Sequence, residues 1–208
     1  MAALRGVSFE AAAGDFIALM GPSGCGKSTL LHLVGGMDFP SRGRVSLDGI
    51  ALNELGEEEL ARVRRRSIGF VFQFFNLLPT LTVVENVTLP MLLDGALETE
   101  SRRRANELLD HVGLVGRANH FPAQLSGGEL QRVAVARAVV AKPRLVLADE
   151  PTGNLDTDNG SEVMKLLADL NRGSGVTILL ATHSEEAAGY ASRTIRMRDG
   201  LISADSRN

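Results

Sequence analysis

A glycine-rich loop between an apolar strand pattern and a helical pattern constrains this chain more than any other feature. The strand is predicted over residues 16–20 (FIALM), and the helix is predicted to begin at Lys27. The segment GPSGCGKST, residues 21–29, matches the P-loop pattern in the strand–loop–helix context that makes such a match specific. Its glycines allow the backbone to curl so that several amides point at phosphate oxygens. The segment therefore predicts an α/β fold with a nucleotide-binding site.

The side chains of this loop predict how a nucleotide would be held. The Lys27 ammonium is expected to neutralise the β and γ phosphates of ATP, and the Ser28 hydroxyl is expected to bind Mg²⁺. Because backbone amides do most of the binding, the Cys25 thiol is interpreted as incidental. The guanine-reading pattern Asn-Lys-x-Asp of GTPases is absent, whereas kinases and ATPase motors remain open at this point. The candidate nucleotide-binding residues are Gly21, Pro22, Ser23, Gly24, Cys25, Gly26, Lys27, Ser28 and Thr29.

Short apolar runs alternate with helical patterns along the rest of the chain. This alternation predicts βαβ units and a mostly parallel core sheet. Further strands are predicted over residues 44–47, 68–72, 144–149, 176–182 and 194–198. Further helices are predicted to begin at Glu57, near Glu100, at Gly127, near Asn159 and near Ser184, with Gly173 ending the helix from Asn159. Residues 74–124 are helix-patterned without a clear strand, so we expect a helical lobe inserted into one domain that spans residues 1–208.

The apolar strand RLVLAD ends in two adjacent acids, Asp149 and Glu150. Consecutive side chains of a strand point to opposite sides, so the two acids are expected to have different roles. Asp149 would hold Mg²⁺ through water, and Glu150 would act as the general base that polarises the attacking water. The alternative interpretation is a solvated Asp-Glu-Pro turn, which the upstream P-loop disfavours.

Two further polar residues, Gln73 and His183, stand at the ends of predicted strands. Strand ends of an open α/β sheet meet at the ligand crevice. His183 is therefore expected to donate a hydrogen bond to the γ-phosphate, although a lone histidine at a strand end is more often structural. The Gln73 amide is expected to contact both Mg²⁺ and the attacking water.

The segment LSGGELQRVAVARA, residues 125–138, predicts a second anion-binding site. Ser126 and Glu129 have the spacing of a capping box, and apolar residues follow at helical spacing. The free amides at the start of a helix attract anions. The chain thus has two candidate phosphate sites for one expected nucleotide.

Composition predicts a globular protein with no general bias toward nucleic acid. Apolar residues make up 44% of the chain, and the net charge is −3. Arginine clusters at residues 62–66 and 102–104 are interpreted as solvated helix faces, with a polyanion patch as the alternative. A single cysteine, no apolar run of the ~20 residues that a membrane span needs, and no signal peptide lead us to expect a soluble, cytoplasmic protein.

These segments in this order resemble the nucleotide-binding domain of ABC ATPases. They match the Walker A segment GPSGCGKST, the Q-loop at Gln73, the signature LSGGELQR, the Walker B segment RLVLADE, the D-loop GNLD and the switch histidine His183. The resemblance covers the chain from Leu4 onward. It implies an α/β P-loop NTPase with a RecA-like core, an antiparallel β subdomain and an inserted helical subdomain. The segments FVFQFFNLLPTLTVVENVTLP and LVGGMDFPSRG resemble the group that serves lipoprotein release and macrolide export.

The resemblance also implies a use for the second anion site. In this family two ATPase domains pair head to tail, and Ser126, Gly127 and Gly128 of one chain would cap a γ-phosphate held by the other. Asp156 would cross the same interface. The implied partners are a second copy of the chain and a separate transmembrane permease, which would hold the protein at the inner face of the cell membrane. The implied function is an ATPase that drives transport or mechanotransmission.

Two other classes of the same family are alternatives to a transport motor. An ATP-dependent regulatory module of the cell-division type would carry the same catalytic residues. Repair and chromosome proteins carry long coiled coils between the Q-loop and the signature, whereas Gln73 and Ser126 are too close for one. Substrate identity and direction of transport would depend on the membrane partner.

The N-terminal segment departs from the family pattern. Relatives begin earlier, with a first strand and an aromatic residue that stacks on adenine, whereas MAALRGVSFE resembles the second strand. We therefore expect Met1 to be a late start and the β subdomain to expose an unpaired edge. Phe9 is interpreted as a packing residue, with adenine stacking as the alternative, and the only tyrosine, Tyr190, lies in the C-terminal part.

Overall fold

A computed structural model describes residues 3–207 and places a six-stranded sheet at the centre of the molecule. The strand order is β4-β5-β6-β1-β7-β8; the first five are parallel to their neighbours, and β8 is antiparallel to β7. A separate two-stranded antiparallel sheet joins β2 and β3. The strands are β1 (Phe16–Met20), β2 (Ser46–Leu47), β3 (Ile50–Ala51), β4 (Ile68–Phe72), β5 (Leu145–Asp149), β6 (Thr177–Thr182), β7 (Arg193–Arg198) and β8 (Leu201–Arg207).

Seven α-helices accompany the strands in the described part of the chain. They are α1 (Lys27–Val34), α2 (Glu57–Ser67), α3 (Val83–Leu93), α4 (Glu98–His111), α5 (Gly127–Val139), α6 (Thr157–Ser174) and α7 (Glu185–Ala188). No helix within residues 3–207 has both the length and the apolar character needed to cross a membrane.

The central strands are buried on both faces, and each face has its own apolar cluster. All five residues of β1 are buried. Because side chains alternate along a strand, Ile17 and Leu19 pack with α1 on one face, whereas Phe16, Ala18 and Met20 pack with α5, α6 and α7 on the other. This burial fixes the ends of β1, β4, β5 and β6, from which the candidate site residues extend.

The helices between β4 and β5 have a third apolar cluster of their own. It is formed by α3, α4 and α5 around residues such as Val87, Leu109 and Val133. The fully buried Asn86 fixes the preceding loop, because its amide donates to the carbonyls of Leu78, Leu81 and Thr82 while its own oxygen accepts from the Leu78 N–H. A buried polar side chain that satisfies several loop carbonyls stabilises the entry into α3.

Most predicted elements are confirmed, with three omissions and shifts at several boundaries. The predictions omitted β3, β8 and α3, and they placed the start of α6 near Asn159, whereas it begins at Thr157 behind the N-cap Asp156. Gly173 does not end α6, which continues to Ser174; Gly175 ends it, with a left-handed φ of 68° that suits glycine. The predicted strand over 44–47 is reduced to its last two residues.

The N-terminal segment contains no strand within residues 3–13, and the β2–β3 hairpin is the antiparallel unit that the structure describes outside the main sheet. Phe9 is half-buried against the cluster of β1 and α1, consistent with packing. Met1, at which we predicted a late start, lies outside the described residues.

The arginine clusters make contacts within the chain. Arg62 pairs with Glu58, Arg64 donates to the Gly36 carbonyl, and Arg65 and Arg66 both face Asp94. In α4, Arg102 donates to Glu98, and Arg103 donates to both Glu100 and Glu107. Arg104 donates to the Val140 carbonyl. These guanidinium groups therefore have acidic or carbonyl partners in the folded chain.

Candidate functional site

The P-loop follows β1 and reverses direction through left-handed glycines. Gly24 and Gly26 have φ values of 78° and 105°, which residues with a side chain rarely adopt. A Cβ at Gly26 would also lie 2.8 Å from a methyl carbon of Leu4 and 2.9 Å from the Ala3 carbonyl oxygen. Gly26 precedes α1 without a side-chain cap, so the first amides of that helix remain available to an anion.

Lys27 crosses the loop and fixes its shape. The side chain is 7% exposed, and its Nζ donates to the carbonyls of Gly21 at 2.7 Å and Pro22 at 3.2 Å. The same ammonium lies 3.9 Å from Oε1 of Glu150. A buried cation is therefore held at the mouth of the loop, where phosphate groups would enter.

Ser28 and Asp149 bring two oxygen ligands together across 121 positions of the chain. Ser28 lies in the first turn of α1, Asp149 ends β5, and the hydroxyl donates to Oδ1 of the carboxylate at 3.1 Å. Hydroxyl and carboxylate oxygens are the ligands that Mg²⁺ prefers, usually together with phosphate oxygens and water. In residues 3–207 no three acidic, histidine or cysteine side chains form a cluster suited to a metal. Ser28 and Asp149 offer two of the oxygen ligands that Mg²⁺ would need, and phosphate oxygens and water would supply the others.

Glu150 lies between the P-loop lysine and the predicted switch histidine. Its Oε2 is 3.0 Å from Nδ1 of His183, and its other oxygen faces Lys27. The side chain is 18% exposed, whereas that of His183 is 67% exposed. A carboxylate held between a buried cation and an exposed imidazole is placed to exchange protons with water at the edge of the site.

Strand alternation does not separate Asp149 from Glu150, so the predicted cause is wrong, although the two acids do face different partners. The strand β5 ends at Asp149, and Glu150 has a left-handed φ of 46°. A sharp backbone turn, rather than strand alternation, therefore directs Asp149 to Ser28 and Glu150 to Lys27 and His183.

Gln73 is held against the D-loop by a residue that the sequence did not single out. Asn154 accepts a hydrogen bond from the Gln73 amide at 3.3 Å and donates to the Gln73 carbonyl at 3.0 Å. Gly153 makes room for this contact, because a Cβ there would lie 2.8 Å from Nε2 of Gln73. Asn154 belongs to the segment GNLD, so its position in a recognised loop was the available signal.

The signature forms the start of α5, and its predicted capping box is confirmed. The Ser126 hydroxyl accepts from the Glu129 N–H, and the Glu129 carboxylate accepts from the Ser126 N–H at 2.8 Å. The hydrogen bond from the Ser126 backbone lowers the pKa of Glu129 below its ordinary range. Gly127 faces Leu155 of the D-loop, and a Cβ at Gly128 would overlap the Asn159 amide.

The signature and the P-loop do not contact each other through any hydrogen bond or ion pair that the described residues make. Ser126, Gly127 and Gly128 instead lie beside the D-loop and the first turn of α6. Asp156 is the N-cap of α6, and hydrogen bonds from the backbone and side chain of Asn159 lower its pKa. The helix start at Ser126 is thus formed as predicted, whereas its use as a second anion site stays a prediction.

Comparison with known proteins gives the same family over most of the chain. The family model described as ABC transporter matches residues 4–153. The lipoprotein-releasing system ATP-binding protein LolD of Geobacter metallireducens is 50% identical over 97% of this chain and 90% of its own length. The macrolide export ATP-binding/permease protein MacB of Chlorobium luteolum is 51% identical over 99% of this chain, which spans 31% of that larger protein.

A solved structure gives the same result for the fold. The dimeric ATP-binding cassette MJ0796, in a post-hydrolysis state bound to ADP and Pi, superimposes with a TM-score of 0.91 at 44% identity. The match covers 99% of this chain and 90% of the cassette. The predicted P-loop NTPase fold is therefore confirmed.

Proposed function

Since this chain belongs to the ABC transporter family, we propose that it binds and hydrolyses ATP in order to drive a transmembrane permease. The observation that carries this proposal is the position of Glu150, whose carboxylate stands between the buried ammonium of Lys27 and the imidazole of His183. In this arrangement one phosphate-binding cation, one general base and one hydrogen-bond donor for the γ-phosphate meet at the mouth of a P-loop.

The residues have distinct roles in the proposed reaction. Backbone amides of residues 21–29 bind the phosphates of ATP, and Lys27 neutralises their charge. Glu150 accepts a proton from the attacking water, while His183 orients that carboxylate and donates to the γ-phosphate. Ser28, Gln73 and Asp149 would hold Mg²⁺, because they offer hydroxyl, amide and carboxylate oxygens at the first turn of α1 and at the ends of the neighbouring strands β4 and β5. When bound, Mg²⁺ supplies positive charge that stabilises the phosphate oxygens.

A second copy of the chain completes each site. The signature residues Ser126, Gly127 and Gly128 lie at the start of α5, and the amides at the first turn of a helix suit a phosphate group. In a head-to-tail dimer they would cap the ATP held by the partner, with Asp156 at the same interface. The dimeric form of the MJ0796 cassette supports this assembly.

The membrane partner is a permease carried on a separate chain, and the protein acts at the cytoplasmic face of the membrane. The names of the LolD and MacB relatives, a releasing system and an export protein, favour a transport motor over the regulatory alternative. We also assign about residues 74–124 to an inserted helical subdomain, whose helices contribute to the third apolar cluster.

The proposal is tested by purifying the tagged chain from detergent-solubilised membranes and identifying the integral membrane protein that accompanies it. We expect ATP turnover by the complex in vesicles, and we expect Lys27→Ala to abolish it. Lys165→Ala, which removes an exposed lysine of α6, is the matched control and should leave turnover unchanged. A complex that binds ATP but hydrolyses none would contradict the motor role.

A further inference from the structure

The Q-loop, defined here as residues 73–76, ends in two consecutive left-handed residues. Phe75 and Asn76 have φ values of 61° and 49°. This conformation is unfavourable for residues with a side chain, and more so for a bulky phenylalanine than for an asparagine. Such a backbone persists only where surrounding groups hold it, so the contacts of these two residues indicate what fixes the position of Gln73.

Arg137, in the last turn of α5, supplies those contacts. Its guanidinium donates one hydrogen bond to the Phe75 carbonyl at 2.9 Å and another to the Asn76 carbonyl. No carboxylate of the described residues pairs with it, and removal from water lowers the pKa of Arg137. A partly desolvated cation whose polar partners are two neighbouring carbonyls is a strong constraint on the backbone that carries them.

Gln131, two turns earlier on the same helix, holds the other side of the loop. Its side chain is fully buried, and Nε2 donates to the Phe72 carbonyl at 3.2 Å. Its Oε1 is buried without a hydrogen-bond partner in the described structure. Burying the Gln131 amide with its oxygen unpaired costs folding free energy. Such a cost is expected where the position of the side chain serves the neighbouring loop.

We propose that Arg137 and Gln131 are positioning residues, which clamp the backbone on both sides of Gln73 and so set where its side chain meets the D-loop and the site. Gln73 then lies beside Asn154 because the loop cannot relax into ordinary φ values. This inference rests on the proposed role of Gln73 in holding Mg²⁺ and water.

The clamp also connects the two anion sites of the chain. One helix, α5, begins behind Ser126, carries Gln131 within the signature LSGGELQR, and carries Arg137 in its last turn.

The first test is Arg137→Lys, which keeps the positive charge but replaces the planar guanidinium by one ammonium. A single ammonium cannot donate to the carbonyls of Phe75 and Asn76 with the same geometry. In the purified dimer we expect kcat to fall by about ten-fold or more, since small misplacements at an active site can cost 10²-fold. The Mg²⁺ concentration for half-maximal turnover should rise, while the Kd for ATP without Mg²⁺ stays within about two-fold. Arg104→Lys is the control, because Arg104 also donates to a backbone carbonyl, that of Val140, away from the Q-loop.

The second test asks whether the clamp acts through Gln73. Gln73→Ala, Arg137→Lys and the double variant form a cycle in which we expect the double variant to match Gln73→Ala alone. If the loss of kcat in the double variant is the product of the losses in the two single variants, the positioning role is overturned. If Gln73→Ala leaves turnover and its Mg²⁺ dependence unchanged, the proposed role of Gln73 itself is contradicted. If Arg137→Lys fails to fold, Gln131→Met tests the other half of the clamp, and an unchanged Mg²⁺ dependence there would overturn the inference.

Discussion

Replacing Glu150 by glutamine removes one negative charge and keeps the size of the side chain. The glutamine can retain a hydrogen bond to His183, which now lies 3.0 Å from the carboxylate. The lost ion pair with Lys27 is long, at 3.9 Å, and the Lys27 ammonium keeps its hydrogen bonds to the carbonyls of Gly21 and Pro22. Folding and ATP binding are therefore expected to survive.

The loss of turnover should be much larger than the loss of stability. General-base catalysis contributes on the order of 10²–10⁴ in rate, which corresponds to about 2.7–5.4 kcal/mol of transition-state stabilisation. We therefore expect Glu150→Gln to hydrolyse ATP at least about 100-fold more slowly than the parent. The ATP-bound dimer should accumulate, because hydrolysis no longer ends the closed state.

Turnover would be measured by phosphate release under saturating ATP, dimerisation by light scattering, and stability by urea denaturation. Glu54→Gln is the matched control, since it also removes a carboxylate that pairs with an arginine, at 2.7 Å from Arg44, but on the exposed surface. Turnover of Glu150→Gln within about three-fold of the parent would refute the assignment of Glu150 as the base.

Three further perturbations test the dimer, the packing and the cap. Lys27→Ala and Ser126→Arg chains should each be inactive alone, and a mixed heterodimer should bind ATP at one intact site; two equivalent sites would show that each chain uses its own signature. Gly69→Ala should lower the free energy of unfolding by about 1–3 kcal/mol in urea, because its Cβ would overlap the backbone of Ala138; an unchanged urea midpoint would contradict that close contact. Hydrogen bonding depresses the pKa of Glu129 below its ordinary 4.5, so its stabilising effect is present above that pH and lost as pH falls through the depressed value. The difference in thermal midpoint between the parent and Glu129→Gln should therefore shrink in acid, and a constant difference would exclude this linkage.

The sequence predicts those parts of the fold that have a local signal. The start of α5 was predictable because a capping box depends on residues three apart, and β1 because five consecutive apolar residues precede a P-loop. The strand β8 lacks such a signal, since its residues LISADSR are mostly exposed and are held by antiparallel pairing to β7. Helix α3 lacks one too, because its sequence VVENVTLPMLL is apolar on most sides and contains Pro90.

The candidate site also has one part that sequence patterns predict and another part that they do not. Sequence patterns identified the residues that carry charge or glycine freedom, but not the contacts between residues far apart in the chain. Asn154 meets Gln73 across 81 positions, and Arg137 meets Phe75 across 62. An arginine in an amphipathic helix has the same local pattern whether it faces water or clamps a loop. The left-handed turn at Glu150 likewise depends on tertiary contacts rather than on local propensity.

The position of β1 in the sheet has a consequence for the synthesis of the chain on the ribosome. Both neighbours of β1, the strands β6 (Thr177–Thr182) and β7 (Arg193–Arg198), lie far after it in the chain. After β1 emerges, roughly 160 further residues must be translated before β6 can pair with it, which takes on the order of ten to thirty seconds. Throughout that interval a nascent chain exposes five apolar residues with unpaired backbone, a surface that chaperones bind and that neighbouring chains can capture. The strand β1 thus gains its place in the nucleotide-binding fold only after β6 and β7 have been made.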